Sequence, residues 1–418
     1  MIKTLVNAWR IPELRKKILF TLFMLVIFQL GTVVPVPGLD KNALSQLLGI
    51  GTGSGTLFDL VNIISGGAMQ NASIFAMSIT PYINSSIIMQ LLAVAIPALE
   101  KLSKEGEEGR KVIAKWTRYV TVILAFVQAA GLYVGMANTG AVENAGIVSF
   151  ITITLSFTAG TAFLMWIGEQ ITEKGIGNGI SIIIFAGIVT RAPALLVQMW
   201  QMLKTQWWLA LIVIVLGLAV IAFVVMLNDA ERRIPVQYAK RVVGRKMYGG
   251  QSTHVPFKVS MAGVMPIIFA SSLLSFPSTI SAMFSAGATP AWITWFTGSW
   301  LYAILYFILI IFFTFFYTAM VYNPVEMANN IKNNGGFVPG IRPGKPTSDF
   351  LTKVMNKVTI IGAIAIALIA VLPMLMAQGN ISVSFGGTSI LILVGVAIET
   401  YRQLESQMLM RNYKGFLD

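Results

Sequence analysis

The sequence has no cysteine, a single histidine (His254) and very few charged residues. Charged residues make up 11% of its 418 positions and hydrophobic residues 56%, whereas an ordinary soluble domain is about 25% charged and roughly 45–50% apolar. The missing cysteines exclude disulfides, thiolate nucleophiles, iron–sulfur clusters and cysteine-based zinc sites. One histidine does not make a histidine-rich metal site. A soluble protein of this size cannot be covered by so little charge, so the composition indicates a membrane protein.

Ten apolar runs approach the length of about 20 residues that a membrane-spanning helix needs. The fifth and the tenth are short. The first run follows Lys17 and contains no small-residue cleavage pattern, so we interpret it as a retained span and not as a signal peptide. The ten runs are Ile18–Val36, Ser73–Ile96, Tyr119–Ala137, Ile147–Ile167, Ile176–Thr190, Trp207–Leu227, Ala262–Phe284, Trp300–Tyr322, Val358–Met376 and Phe385–Glu399.

The positive charges lie almost entirely on one side of these runs. Of the 30 lysines and arginines, 27 lie in alternate segments that share one face, and only Lys41, Arg191 and Lys204 lie on the other. Because positive residues mark the cytoplasmic side, we predict that both termini are cytoplasmic. The net charge of +13 is then mostly a topology signal, and attraction to lipid headgroups alone explains most of it.

The interior of the runs lacks ionisable residues. No Asp, Glu, Lys, Arg or His lies deep inside any of the ten. Proton relays, ion-coupled carriers and membrane metalloenzymes usually keep such groups inside, so these classes are disfavoured, while a carrier for an uncharged solute remains an alternative. The sequence also shows no nucleophile with a plausible base and no glycine–lysine phosphate loop. We therefore predict that the protein is not an enzyme and has no cofactor.

Ten runs divide into five and five, in Met1–Gln201 and Met202–Asp418. Because five is odd, the two halves have opposite orientations, which is the arithmetic of an inverted repeat around a central pathway. The arithmetic permits this arrangement, and the halves have no clear similarity at the level of residues.

The segment Gly55–Gln70 precedes the second run on the outer side. It is too short to cross a membrane, it is half apolar, and it breaks at Gly66-Gly67. One interpretation is an interfacial or re-entrant helix that caps the outer side. The other is a mobile segment that occludes a pore.

Two long basic loops complete the pattern, Glu231–Lys258 with seven basic residues and Asn323–Phe350 with three. Gly244 and Gly249-Gly250 supply turn residues and predict a hairpin in the first loop. Prolines stiffen the second loop around Arg342. Stiff, basic, projecting loops suit docking to a large acidic partner, including RNA phosphate. The alternative is that they are ordinary positive-inside loops.

Short motifs are spread in order over the chain. They are Ile11–Arg15, Ser73–Ala76, Pro81–Ile83, Pro97–Gly106, Gly175–Ser181, Gln251–His254, Met261–Val264, Val338–Gly344 and Phe385–Ser389. Any one of them is weak, but their number and order make chance a poor explanation. On these residues the chain resembles the SecY family, the central subunits of the bacterial protein-conducting channel.

The resemblance implies an all-α integral membrane protein with ten transmembrane helices in two inverted five-helix halves around a central hourglass pore. The first half is 1–201 and includes a short plug helix at 57–70, and the second is 202–418 with cytoplasmic loops 229–258 and 323–357. A lateral gate opens to lipid between the second and third spans on one side and the seventh and eighth on the other.

It also implies a passive channel in the bacterial cytoplasmic membrane. Unfolded secretory polypeptides cross through it, and hydrophobic segments leave it sideways into lipid. The implied partners are SecE, SecG, the SecA motor, the ribosome through its RNA, signal peptides and nascent chains as substrates, and membrane lipids.

Carried over by motif, the resemblance assigns roles to individual residues. The pore ring consists of Ile79, Ile83, Ile180, Ile184, Ile268 and Ile392. The plug contains Leu57, Phe58, Asp59, Leu60, Val61, Asn62, Ile63, Ile64, Ser65, Gly66 and Gly67. The gate region contains Ser86, Gln90 and Asn178. Docking of the motor and the ribosome is assigned to Arg241 and Arg342, with Lys240, Arg245 and Lys246 adding attraction.

The spacing of the isoleucines agrees with a pore on grounds of its own. Ile79 and Ile83 are four residues apart, as are Ile180 and Ile184, so each pair shares a helix face. Isoleucine pairs are nevertheless common in spanning helices. For Arg342 the alternative to docking is a local clamp that hydrogen-bonds the carbonyls of its own loop.

Two rival functions make different predictions. A carrier for an uncharged solute predicts a compact polar pocket at mid-membrane in place of an apolar waist. A structural membrane scaffold predicts no conductance when the plug is deleted.

Overall fold

Helices account for most of the structure, a computed structural model that describes residues 8–40, 65–138, 140–142, 144–238, 241–243, 246–248, 252–284, 292, 295–296, 299–378 and 387–414. The helices considered below are α1 (Pro12–Gly31), α2 (Thr80–Ala95), α3 (Pro97–Lys104), α4 (Glu107–Asn138), α5 (Ile147–Lys174), α6 (Gly179–Thr190), α7 (Ala192–Thr205), α8 (Trp207–Asp229), α9 (Met265–Phe284), α10 (Trp300–Val321), α11 (Pro324–Asn333), α12 (Lys345–Gln378) and α13 (Gly387–Lys414).

Each of the ten apolar runs overlaps one of these helices, but fewer than ten meet a strict criterion for spanning a membrane. Among the described residues, six helical stretches are long and apolar enough, and a seventh is added if the bent pair α2 and α3 is one broken span. The six stretches are Glu107–Ala137, Ile147–Lys174, Gly179–Thr205, Trp207–Asp229, Trp300–Asn333 and Lys345–Leu372. The chain is thus a multi-pass helical protein, and the number ten stays a prediction.

Helix α2 is shorter than the second run. The predicted span starts at Ser73, but residues 65–79 form successive turns and the helix begins only at Thr80. Two residues other than glycine in this stretch, Ala72 and Ser78, have left-handed backbone conformations, with φ of 49° and 54°. At its other end the chain bends by 106° between α2 and α3, because Pro97 opens α3 and Ile96 before it is extended.

The fifth span is longer than predicted. The apolar run ends at Thr190, but α7 follows α6 after Arg191 alone, and together they give a 27-residue candidate span. Pro193 lies at the second position of α7, where the missing N–H of a proline leaves no helical hydrogen bond unmade. The proline therefore begins a helix here and does not end the span.

The two basic loops fold together, so the description all-α needs a correction. They contain five short strands, β1 (Glu231–Tyr238), β2 (Arg241–Val243), β3 (Lys246–Tyr248), β4 (Ser252–Lys258) and β5 (Gly336–Phe337). The antiparallel pairs β1–β4 and β2–β3 confirm the hairpin predicted for the first loop. Strand β5 of the second loop adds to the other edge of β1, which gives the order β4-β1-β5.

This sheet has an apolar core of its own. The core side chains come from the sheet, from α11 and from the first turns of α12. They are Ile234, Val236, Phe257, Ala328, Ile331, Val338, Leu351 and Met355. We call the sheet β4-β1-β5, α11 and the start of α12 the loop unit. Burial of these side chains makes the two loops one folded body rather than two independent excursions.

Contacts between helices of the two halves of the chain determine where the candidate site lies. Helix α9, from the C-terminal half of the chain, contacts α2 and α4 from the N-terminal half, and α6 contacts α13. The largest core cluster draws side chains from α2, α6, α9 and α13. The two halves therefore meet along two seams with an apolar core between them.

Candidate functional site

The six isoleucines assigned to the pore ring lie in or against one apolar cluster. Ile79, Ile83, Ile184, Ile268 and Ile392 are buried members, between 1% and 6% exposed, and the partly buried Ile180 packs against them. They come from the start of α2, from α6, from α9 and from α13. The fold thus brings together residues up to 313 positions apart. The same cluster also contains many other apolar side chains, so membership of the cluster does not by itself define a ring. The ring itself stays a prediction.

The i, i+4 relation that the sequence predicted for the first pair is retained although Ile79 precedes the helix. Ile79 is the residue before α2, and the N–H of Ile83 donates to its carbonyl oxygen at 3.0 Å. Ile180 and Ile184 both lie within α6. The two isoleucines of each pair are therefore one helical turn apart and share a helix face, as their spacing predicted.

The predicted gate residues make local contacts. The side-chain amide of Gln90 donates to the hydroxyl of Ser86 at 3.1 Å, one turn away on α2. Asn178 is the N-cap of α6, where its Oδ1 accepts from the N–H groups of Ile180 and Ser181 at 3.1 and 3.4 Å. The contacts of these three side chains stabilise single helices, and their role in a gate stays a prediction.

A polar contact across the seam was missed by sequence reasoning. The hydroxyl of Ser272 on α9 donates to Oδ1 of Asn84 on α2 at 2.6 Å, and both residues are buried, at 6% and 5% exposure. Asn84 directly follows the ring residue Ile83. The sequence does show the side-chain amide of Asn84 inside an apolar run. It does not show the partner of that amide, which lies 188 positions away. Small polar residues are also common in membrane helices, so only the fold identifies the pair.

The predicted plug is described only at its end. Leu57–Ile64 lie outside the described residues, whereas Ser65, Gly66 and Gly67 lie within them. Ser65 is fully buried. A Cβ on Gly66 would lie 3.2 Å from the Cα of Gly187 on α6, so this end of the segment packs backbone to backbone against the helix that carries Ile180 and Ile184.

The turns between the described end of the predicted plug and α2 contain a buried hydroxyl group without a hydrogen-bond partner in the described residues. Ser78, which has a left-handed backbone and immediately precedes Ile79, is 1% exposed. Its hydroxyl has no hydrogen-bond partner within the described ranges. A left-handed residue other than glycine and a buried unpaired hydroxyl both raise the energy of the native state. The connection between the predicted plug and the ring is therefore strained.

Three of the predicted docking residues lie within the described residues: Arg241 and Lys246 in the hairpin β2–β3, and Arg342 between β5 and α12. Arg241 begins β2 and Lys246 begins β3, whereas Lys240 and Arg245 lie outside the described residues. Arg342 follows β5 and is exposed. Since β5 pairs with β1, the loop that carries Arg342 is joined to the hairpin that leads to Arg241.

The contacts of Arg342 bear on the proposed local clamp. Within the part of the chain that the structure describes, its guanidinium forms no hydrogen bond or ion pair. Its backbone carbonyl accepts a hydrogen bond from the hydroxyl of Thr347 at 2.8 Å. The loop is thus clamped by Thr347 and not by the arginine, and the guanidinium is available for a partner.

Basic side chains also form a shallow surface site on α4. Lys111, Lys115, Arg118 and Tyr119 line a cavity of about 440 Å³. Arg118 is paired with Glu169 of α5 at 2.7 Å. The two lysines make this site cationic next to an exposed aromatic ring, an arrangement that suits the headgroup region of a membrane.

A charged cluster lies where the loop unit meets the long helices. Arg402 of α13 donates to Oδ1 of Asp229 at 2.6 Å and to the carbonyl of Asn228 at 2.7 Å, both at the end of α8. Burial lowers the pKa of the nearby Lys258 below its usual range, and the positive charge of Arg402 lowers it further. The two hydrogen bonds join α13, the helix that carries Ile392, to the end of α8, from which the chain continues into β1.

The profile of the SecY family matches residues 73–401. The chain belongs to the SecY family. It is 46% identical to the protein translocase subunit SecY of Streptomyces coelicolor, over all of both chains. It is 45% identical to the Escherichia coli K12 protein of the same name, over 97% of this chain and 94% of that one.

Solved structures give the same fold. The chain is similar, with a TM-score of 0.65 and 19% identity over 94% of this chain and 92% of the other, to the structure of a protein-conducting channel. It is similar, with a TM-score of 0.64 and 18% identity over the same shares, to Sec61 in the canine ribosome–channel complex. These likenesses establish the channel fold of the SecY family for this chain.

Proposed function

We propose that this chain is the passive channel subunit through which unfolded secretory polypeptides cross the bacterial cytoplasmic membrane. The observation that carries the proposal is the apolar cluster in which isoleucines from both halves of the chain meet, in a protein with the SecY fold. Its relatives are named protein translocase subunits. We also propose the ten-span topology of two inverted halves, 1–201 and 202–418, with both termini cytoplasmic.

An apolar waist suits a channel for polypeptides. A translocating chain presents every type of side chain, so a site with specific ligands would trap it. Branched aliphatic side chains fit loosely around an extended chain, and when the waist is empty they expel water and oppose ion leakage, as hydrophobic constrictions do. Such a channel performs no work by itself, and the energy comes from a partner.

The seam between α9 and the pair α2 and α4 is the proposed lateral gate. The hydrogen bond between Ser272 and Asn84 crosses it, and a hydrogen bond between membrane helices stabilises them by only about 0.6 kcal/mol on average. A seam held by packing and by bonds of this size opens at modest cost. A hydrophobic signal peptide or span that replaces the contacts of α9 would then leave sideways into lipid.

Segment 57–70 is the proposed plug, which seals the waist from the outer side. Its described end packs against α6 through Gly66 and Gly187. One solved structure of similar fold, with a TM-score of 0.67 and 20% identity, is of a SecY protein whose plug domain is reported to stabilise the closed state of the channel. The strain at Ser78 lies between this segment and the ring.

The loop unit is the proposed docking surface for the ribosome and the SecA motor. Arg342 presents an exposed guanidinium, and two solved structures of similar fold are channels bound to ribosomes. SecE and SecG are the proposed membrane partners. Anionic lipids are the proposed ligands of the cationic site at Lys111 and Lys115.

The rival functions have less support. A carrier for an uncharged solute requires a compact polar pocket, whereas the core between the halves is apolar. A scaffold requires no conducting path, and membership of the SecY family disfavours it. No observation favours a catalytic activity.

Reconstitution tests the proposal against both rivals. Vesicles would contain this chain with SecE and SecG, and they would receive SecA, ATP and a labelled secretory precursor. We expect the precursor to become protected from added protease only in vesicles that contain this chain. Uptake of an uncharged sugar without precursor protection would favour a carrier, and neither activity in a correctly assembled complex would favour a scaffold.

A further inference from the structure

The backbone before Arg342 is fixed by a closed turn. The N–H of Ile341 donates to the carbonyl of Val338 at 3.0 Å, and between them stand Pro339 and Gly340, the latter with φ of +81°. Proline followed by a left-handed glycine is the pattern of a type II turn. Val338 is 3% exposed and belongs to the core of the loop unit, so the turn is anchored to a packed body.

The backbone after Arg342 is held from the opposite direction. The hydroxyl of Thr347, a residue 1% exposed, donates to the carbonyl of Arg342 at 2.8 Å. Between the two residues, Pro343 restricts its own φ and Gly344 adopts φ of +101°. A valine at position 347 would keep the shape of threonine but would leave the Arg342 carbonyl without this donor.

The loop is also tied to its neighbour by a close strand contact. Gly336 of β5 pairs with Tyr238 of β1. A Cβ on Gly336 would lie 2.8 Å from Cε1 of Tyr238 and 3.1 Å from the carbonyl oxygen of Ile331. The absence of a side chain therefore permits β5 to approach β1, and the turn that leads to Arg342 begins one residue after β5.

The guanidinium of Arg342 differs from those of two other arginines near the loop unit. Arg233 is paired with Glu231 at 2.7 Å and Arg402 with Asp229 at 2.6 Å. Arg342 is exposed, and no side chain in the described ranges neutralises it. Its backbone is thus fixed on both sides while its charge is left for an external group.

We propose that Thr347 is a positioning residue for docking, and that its hydrogen bond holds the backbone of Arg342 so that the guanidinium meets a phosphate group of ribosomal RNA. A guanidinium binds phosphate through two parallel hydrogen bonds whose geometry is demanding. A backbone ordered before binding lowers the cost of ordering it during binding. The inference rests on the docking role of Arg342 proposed above.

A double-mutant cycle tests the inference with purified ribosomes that carry no nascent chain. Their binding to vesicles that contain the complex would be measured for wild type, Thr347→Val, Thr347→Ser, Arg342→Ala and the double variant Arg342→Ala with Thr347→Val. We expect Thr347→Val to weaken binding about three- to tenfold, as for one lost hydrogen bond. Thr347→Ser, which keeps the donor, should bind as wild type does.

The decisive comparison is in the Arg342→Ala background, where Thr347→Val should cause no further loss. Wild-type binding by Thr347→Val, or an equal loss in both backgrounds, would overturn the positioning role while leaving docking by Arg342 intact. Undiminished binding by Arg342→Ala alone would overturn the docking role and the inference with it. A coupling found with SecA but not with ribosomes would overturn RNA phosphate as the partner group.

Discussion

The hydroxyl of Ser272 and the side-chain oxygen of Asn84 lie 2.6 Å apart and join α9 to α2. The contact is buried, it crosses between the two halves of the chain, and it lies one residue from Ile83 of the proposed ring. This hydrogen bond opposes separation of α2 and α9. In the channel proposed above, this hydrogen bond would connect the lateral gate with the ring.

The first prediction concerns this bond. Ser272→Ala removes the donor and leaves Asn84 buried without it, which should destabilise the closed seam by about 0.6–1 kcal/mol. We expect transport of a precursor with a defective signal peptide to rise roughly three- to fivefold relative to a precursor with an intact one. The measurement is the ratio of the two transport rates in reconstituted vesicles.

Ser271→Ala provides the matched control. The hydroxyl of Ser271 donates to the carbonyl of Ile268 on its own helix at 2.9 Å, so its loss should leave the ratio unchanged. Equal ratios for Ser272→Ala and Ser271→Ala would show that the contact between α2 and α9 does not hold a gate.

The second prediction concerns the ring. Ile184→Asn places an amide in the apolar cluster and should let water remain in the empty waist, because dewetting requires apolar walls. We expect a clear increase in ion conductance of the resting complex in planar bilayers and weaker selectivity for signal peptides. Ile184→Val keeps an apolar branched side chain and should conduct as wild type does. An unchanged ion leak in Ile184→Asn, and likewise in Ile83→Gly, would reject the ring.

The third prediction concerns docking by charge. Arg342→Glu reverses an exposed charge that has no partner in the described part of the chain, so it should impair ribosome- or motor-driven transport through repulsion of an acidic partner. The complex with SecE should assemble normally, as judged by copurification. Lys345→Glu, at the start of α12, changes net charge equally and should have a smaller effect. Normal transport by Arg342→Glu would refute the docking role.

The fourth prediction concerns the strain at Ser78. Ser78→Ala removes the unpaired hydroxyl but keeps a Cβ at φ of 54°, whereas Ser78→Gly removes both. Glycine relieves left-handed strain, and part of the gain is offset by its greater freedom when unfolded. We expect Ser78→Gly to be more stable than Ser78→Ala by roughly 0.5–1 kcal/mol, measured by chemical unfolding of the purified complex. No difference between the two variants would mean that the backbone at this position is unstrained.

Local chemistry made part of this fold predictable. The apolar runs, the hairpin in the first basic loop and the exposed arginine of the second follow from residue types and their spacing. The relation between Ile79 and Ile83 was also predictable, since four residues make one turn of a helix. Each of these features depends on neighbours in sequence.

The features that were missed depend on tertiary context. The fifth apolar run ends at Thr190, whereas the helical span continues past Arg191 and Pro193 to Thr205, because a proline can also begin a helix. The turns before Thr80 require left-handed conformations at Ala72 and Ser78, which these residue types do not suggest. The pairing of Asn84 with Ser272 and that of β5 with β1 join distant segments, and no local pattern encodes the choice of partner.

The most direct test of the central claim uses the absence of cysteine from the chain. A single cysteine would replace Ile83, and a precursor with one cysteine would be stalled midway through transport before oxidation. We expect a disulfide-linked adduct that requires both cysteines and a driving motor, and none from a cysteine at Val94, which is 58% exposed on the same helix. With transport proven in the same vesicles, the absence of any adduct at Ile83, Ile184 and Ile268 would contradict the account, because the polypeptide would then cross elsewhere.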